Sequence, residues 1–444
     1  MTVIARPAAE LHPRSSAVGR DPAVDLARAA CLIVVVALHA LMVGVTIRAG
    51  RPVLENALEA WGGLSPLTWF VQIMPLFFVV GGFSAVTQWS RLSANGMSAS
   101  DYVGLRMRRL LTPAVVAVGV VVVTLALLAS LGLPAELLAI AGFRLSQPLW
   151  FLGVYAGTTA LVPALCALHR RMPVGTVVTL AALAAAVDLV RAAAGVAAIG
   201  YLNLAFVWLL IQQLGFWLAD GRLPRSRMAV AAIAAAAFGT LAVSCAVGIF
   251  SFDLLTDLNP PSFALVLVGI GQLAVFELCR PVLRRMHAVR WVARVTTAIN
   301  LRAMTIYLWH MLVLVLGAGA LLLAGASLPV PLSAAWWGSR PLWLIGVALV
   351  VALVSWVAAR WEIAGARTVD AEPIGRVRAS VSPVLAMLGV VVLLASGISV
   401  AGGVLGLACI GSALALVHAA GPTTPLARMV GAPSRISSVR RPWR

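Results

Sequence analysis

The residues best able to do chemistry lie in one apolar stretch, where Asp25-Leu-Ala-Arg28 is followed by ten apolar residues and then His39. Ionisable side chains in such a run are costly to bury, which makes them functional candidates. Arg28 and His39 stand eleven positions apart. At about 100° per residue they return to nearly one helical face, roughly 16 Å apart along the axis. Asp25 precedes Arg28 by three positions, within reach of a side-chain pair that would hold the guanidinium in place. The stripe would then carry an ion pair at one end and, deeper in, a histidine that is a functional candidate by its depth. A histidine merely satisfied by a neighbouring helix is the plainer alternative.

Other groups stand out by type and spacing. Arg106-Met-Arg108-Arg109 precedes the third apolar run; Arg106 and Arg109, at i and i+3, share a face and could hold one phosphate between them. Tyr307-Leu-Trp309-His310 begins five residues after Arg302. Its Tyr and Trp fit an interfacial belt, and His310 adds a group able to meet a ligand's path. Asp188 and Arg191, three apart, read as an ion pair. Pro75-Leu-Phe77-Phe78-Val-Val-Gly81-Gly82-Phe83 offers small residues for close helix approach.

These groups must be positioned by membrane helices. The chain is 61% hydrophobic and 11% charged with a mean hydropathy of +1.00, far from a soluble composition. Its net charge of +18 comes from 33 basic residues, all of them arginine, gathered in short segments between apolar runs. That pattern belongs to membrane topology rather than to nucleic-acid binding, which would need a basic stripe with interleaved exposed aromatics. Five cysteines without C-x-x-C spacing read as small core residues, and no metal-ligand set is expected.

Apolar runs long enough for a hydrocarbon core of roughly 30 Å fall at 24–46, 67–89, 112–132, 149–168, 174–192, 201–219, 229–250, 262–279, 303–324 and 341–359. Residues 384–420 are too long for one span, and Gly402-Gly403 near their middle would supply a turn between two. The expected fold is an all-α polytopic transmembrane bundle of about twelve spans. Its parts are a cytoplasmic tail (1–23), a ten-helix core (24–360), a linker (361–383), a two-helix hairpin (384–420) and a basic tail (421–444). The N-terminal residues lack a short apolar region with a cleavage site, so the first span is expected to be an uncleaved anchor. With the N-terminus inside, 28 arginines fall on the cytoplasmic side and five outside. By the positive-inside rule this places both termini in the cytoplasm.

The Asp25, Arg28 and His39 spacing resembles the first-helix signature of the integral membrane acyltransferase family 3, and Arg106-x-x-Arg109 resembles that family's second arginine motif. Pro-Leu-Phe-Phe followed by Gly-Gly-Phe at 75–83, Pro148-Leu-Trp150-Phe151-Leu152 and Tyr307-Leu-Trp309-His310 fall where the family places similar strings. The likeness runs from about residue 20 to 360; the last two spans lie beyond it, and Gly81 stands where many members have serine. The resemblance implies an O-acyltransferase of the inner membrane, with no bound cofactor, taking acetyl or another short acyl group from cytosolic acyl-CoA. Its acceptor would be a hydroxyl of a cell-envelope carbohydrate, lipid or hydroxylated metabolite. It makes His39 the catalytic base or acyl carrier, supported by Asp25 and Arg28. Arg28, Arg106 and Arg109, with Tyr307, Trp309 and His310, would bind the donor. Asp188, Arg191, Asn203 and Gln212 are the polar residues expected toward the acceptor. The family's sometimes-fused esterase-like domain is not part of this sequence, which leaves a role for a partner protein.

A transporter or flippase is the competing expectation, with Asp25, Arg28, His39, Asp188 and Arg191 along a buried path. It gives no particular reason for the two arginine spacings or the tryptophan strings. A non-catalytic scaffold leaves the charges of the first span without purpose.

Overall fold

A computed structural model describes residues 21–48, 51–59, 61–326, 328–366 and 373–418. The expected basic tail, nearly all of the N-terminal tail and residues 367–372 of the linker lie outside the described residues. Among the described residues, twelve helical segments are long and apolar enough to cross a membrane. The chain is a polytopic helical bundle.

Helix α1 (Pro22–Met42) starts where sequence chemistry allows: Asp21 caps it by accepting from Ala23 N at 2.9 Å, and Pro22 occupies the first turn. The helix stops at Met42, short of the expected 46. Val43-Gly-Val-Thr-Ile is rich in β-branched residues and pairs as β1 (Val43–Arg48) with β2 (Arg51–Asn56), antiparallel, with Val43 opposite Asn56. This hairpin was not legible from hydropathy.

The second span is broken into α2 (Leu64–Val71) and α3 (Met74–Ala94). Pro75 opens α3 and supplies no N–H. The backbone groups freed at the break are taken up by Gln272, which donates to the Gln72 carbonyl at 2.8 Å and accepts from Leu76 N at 2.9 Å. Helix α4 (Ala99–Ser130) has 32 residues. At 1.5 Å per residue it is about 48 Å long, so one end projects well beyond a hydrocarbon core. Ser98 caps it, and Asp101 in its first turn accepts from Ile374 N at 2.8 Å, tying down the far end of the linker.

The fourth span differs most from the sequence reading, which set it at 149–168. It runs over 135–160 as α5 (Ala135–Ser146), a short 3-10 turn at Gln147–Leu149 and α6 (Trp150–Ala160). Pro148 interrupts the helical hydrogen bonds at the turn, and Pro163 starts a separate helix, α7 (Val162–Arg171). Helices α8 (Pro173–Ala194), α9 (Asn203–Ala219), α10 (Arg227–Ala246) and α11 (Ala264–His287) follow. An amphipathic α12 (Arg290–Leu301) leads into α13 (Ala303–Leu323) and α14 (Ala334–Ala366).

Small residues set a close helix crossing, as expected of Gly81-Gly82, but only Gly82 takes part. A Cβ on Gly82 would collide with the Gln212 carbonyl of α9, and one on Gly215 with the Val79 carbonyl of α3. Phe78 and Trp208 stack beside this crossing, with centroids 4.5 Å apart.

Helices α15 (Arg376–Ser396) and α16 (Val400–His418) form a two-helix hairpin as expected, but it starts at 376, inside the expected linker, rather than at 384, and its turn is elsewhere. The chain reverses at Gly397, whose φ of +59° few other residues adopt. Gly402 and Gly403 lie inside α16, and Gly403 lets it close on Val122 of α4. Gly389 and Gly406 bring the pair together, and Ser382 Oγ donates to the Ala413 carbonyl at 2.8 Å.

Candidate active site

The stripe on α1 opens onto a cavity of about 660 Å³, within the range typical of small-molecule sites. Arg28 and His39 both line it, at opposite ends of their shared face. Around Arg28 the wall carries Arg106, Arg108 and Arg109 of α4, Asn300 of α12 and His418 at the end of α16. The long α4 helix brings Arg108 and Arg109 to this wall. Arg106 is pinned there: its two terminal nitrogens donate to Gln88 Oε1 and to the Tyr155 hydroxyl, each at 3.1 Å. Its guanidinium is therefore partly committed, whereas Arg108, not singled out from sequence, joins Arg109 and Arg28 at the cavity. Four cations lining one cavity favour an anion among them.

His39 meets His310 of α13. The two rings lie 5.1 Å apart between centroids with planes 12° apart, and His39 Nδ1 is 2.8 Å from His310 Nε2. The other nitrogen of His310, Nδ1, lies 2.7 Å from the Tyr307 carbonyl. A carbonyl only accepts, so His310 Nδ1 carries a proton and, in the neutral ring, Nε2 is the acceptor. His39 Nδ1 must then donate, which leaves His39 Nε2 with its lone pair available for chemistry. His310 is fully buried and His39 only partly so. The inner ring therefore fixes the tautomer of the outer one.

Tyr307 holds this arrangement from the other side. Its hydroxyl donates to the Pro148 carbonyl at 2.6 Å, joining α13 to the break between α5 and α6. The same break starts the aromatic string: Phe151 packs edge-on against Tyr307 at 5.1 Å and Phe77 at 5.2 Å, and stacks on Tyr155 at 5.3 Å. Trp150, Phe151, Tyr155, Phe77 and Tyr307 line the cavity, while Trp309 is buried behind it.

The cavity's other end is closed by the segment between α10 and α11. Gln72 Nε2 donates to the Leu254 carbonyl at 3.0 Å, Leu254 N donates to Thr68 Oγ1 at 3.1 Å, and Leu255 and Leu258 face inward. Asp257 orders that segment by accepting from Ser262 Oγ at 2.7 Å and Ser251 N at 3.1 Å. Burial pushes its carboxyl above the ordinary carboxylate range.

The remaining sequence candidates are placed elsewhere. Asp25 is buried and does not line the cavity; its backbone carbonyl accepts from Asn300 Nδ2 at 2.8 Å. Asp188, Arg191, Asn203 and Gln212 do not line it either. Asp188 accepts from Asn203 Nδ2 at 3.0 Å and Phe263 N at 2.7 Å and lies 3.7 Å from Arg191, a tie between α8, α9 and the start of α11. Gln212 Nε2 donates to the Thr158 carbonyl at 3.3 Å, inside the bundle. Asp188 and Arg191, which the transporter expectation put along one path with His39, do not line the cavity.

One carboxylate that sequence reading passed over anchors the stripe. Asp21 accepts from Arg280 Nε at 2.8 Å and from Arg284 Nη2 at 2.7 Å while capping α1. Burial pushes its carboxyl up, but the hydrogen bonds from Arg284 and Arg280 outweigh this and hold it at about 2. The signal was an Asp-Pro pair at a helix start, which carried no hint of the distant arginines.

Among the described residues, twelve helices long and apolar enough to cross a membrane and a cavity lined by arginines and by His39, which pairs with His310, define a polytopic membrane protein. Residues 21–360 match the family model described as an acyltransferase domain, and the chain belongs to acyltransferase family 3. No curated protein and no solved structure matches it. The pair α15–α16 lies beyond the matched region, yet its last residue, His418, reaches the cavity.

Proposed function

We propose that this membrane acyltransferase moves a short acyl group from cytosolic acyl-CoA to a hydroxyl of a cell-envelope carbohydrate, lipid or hydroxylated metabolite. The observation that carries this reading is His39, held in one tautomer by His310 on the wall of a cavity whose other end gathers arginines. Arg28, Arg108 and Arg109 would bind the donor's phosphates through bidentate forks, with Arg106 steadied by Gln88 and Tyr155. The pantetheine arm then runs past Leu32 and Val35 toward His39, over about 16 Å at 1.5 Å per residue.

In the general-base route, His39 Nε2 takes the acceptor's hydroxyl proton as the oxygen bonds to the thioester carbon. The C–S bond breaks, CoA leaves as thiolate, and the imidazolium returns the proton to it. In the acyl-carrier route, Nε2 attacks the thioester carbon, the C–S bond breaks and CoA leaves as thiolate; the acceptor oxygen then takes the acyl group from the ring while its hydroxyl proton passes to the thiolate, which returns His39 to its neutral form. Both routes put positive charge on His39, and both strengthen its Nδ1–H bond to His310. The count of 28 arginines against five supports an inner-membrane orientation with the arginine end and both termini cytoplasmic.

The test follows labelled acyl-CoA in membranes carrying the protein, with products identified by mass spectrometry. Label is expected in a hydroxyl ester and is lost in His39→Ala. Intact transfer in that variant would end the proposal.

A further inference from the structure

Past His39 the cavity changes character. Met42 lies three residues, about 4.5 Å, further along α1, and Val71, Ile73, Leu255 and Leu258 complete the wall with Gln72. Gln72 is the polar side chain of that set, and its Nε2 already donates to the Leu254 carbonyl. Backbone groups there are also taken: the Met42 carbonyl accepts from Ala57 N at 2.8 Å, and Ile73 N donates to the Val71 carbonyl at 2.8 Å. A sugar in this space would bury hydroxyls opposite aliphatic carbons, at the cost of unpaired polar groups.

The layout of the donor says what belongs there. With phosphates among the arginines and the thioester at His39, the acyl chain continues the same line and enters the apolar end. We propose that this end is an acyl-chain chamber and that the enzyme prefers a linear acyl group a few carbons longer than acetyl. The acceptor hydroxyl then reaches the thioester from the side of His39 rather than through this end. This rests on the acyltransferase reading above and adds the class of acyl group to it.

The experiment measures kcat/KM for acetyl-, butyryl- and hexanoyl-CoA with the full-length protein in membranes. Each methylene buried is worth ~0.8 kcal/mol, so kcat/KM is expected to rise about fourfold per methylene until the chamber is full. Met42→Trp fills the chamber and is expected to flatten the series; Met42→Ala enlarges it and moves the optimum to longer chains. The readout is the ratio between donors within one variant, so the amount of folded protein cancels. A rate that falls steadily from acetyl onward, or a Met42→Trp series with the wild-type slope, overturns the proposal. So does a Met42→Trp protein in which only the KM for the acceptor rises, since the chamber would then belong to the acceptor. Absence of transfer from every acyl-CoA would instead remove the acyltransferase reading itself.

Discussion

Replacing His310 separates positioning from chemistry. In His310→Phe a ring of similar shape fills a fully buried site, but His39 Nδ1 loses the acceptor now 2.8 Å away. Two effects follow. The ground-state hydrogen bond goes, and His39 is freed to place its proton on Nε2, the nitrogen needed as base. The larger effect comes in the transition state, where the ring becomes cationic and the bond to His310 becomes charge-assisted. Hydrogen bonds to charged groups are worth about 1.5–3 kcal/mol, and 1.36 kcal/mol is tenfold in rate, so kcat is expected to fall about 10- to 150-fold. The KM for acyl-CoA is expected to stay near its wild-type value, because the arginines lie roughly 16 Å along α1. The assay is initial-rate transfer of labelled acyl-CoA in purified membranes, with protein amount normalised by immunoblot. His310→Gln supplies an amide oxygen able to accept from Nδ1 and is expected to recover part of kcat. A wild-type kcat in His310→Phe, or a loss confined to KM, would refute the tautomer argument.

Other outcomes follow from the same contacts. Arg28→Ala and Arg109→Ala each remove a charge-assisted phosphate contact, so KM for acyl-CoA should rise about tenfold or more. A phosphate-free acyl-pantetheine thioester should show no such change in steady-state kinetics. Asp21 titrates at about 2 against an ordinary 3.8. A depressed carboxyl stabilises the fold above its unfolded value and loses that contribution as pH falls through its folded value. The gap in thermal midpoint between wild type and Asp21→Asn in detergent should therefore be constant above about pH 5, narrow as pH falls toward 2, and vanish only below that. A gap unchanged over that range would show that the Arg280–Asp21–Arg284 clamp does not stabilise α1. Gly215→Leu forces α9 off the Val79 carbonyl of α3. It should lower the thermal midpoint, at about 1–3 kcal/mol of overpacking strain, whereas Gly81→Leu, with nothing within 4 Å of its Cβ, should be far milder.

Hydropathy alone made the bundle and its twelve spans legible, because a hydrocarbon core of about 30 Å demands a run of apolar residues for every crossing. It could not show where proline breaks a span. The fourth crossing began at 135 rather than 149, since α5 and α6 count as one span only when seen joined through the turn at Pro148. Nor could it separate the turn at Gly397 from the packing glycines 402 and 403, as the difference lies in a backbone angle and a neighbour on α4.

The site divides in the same way. The sequence by itself determined that Arg28 and His39 share a face, because the helical repeat is a property of the chain, and it picked out Arg106, Arg109 and the Tyr307–His310 string. Only the tertiary structure decided that His310, 271 residues from His39, is its hydrogen-bond partner. Only it put Arg108 and His418 at the cavity, gave Asp21 two arginines from α11, and left Asp188, Arg191, Asn203 and Gln212 away from the cavity. The physical reason is range. Periodicity fixes neighbours within a turn or along one helix, whereas the tautomer of His39 depends on a ring that another helix brings beside it.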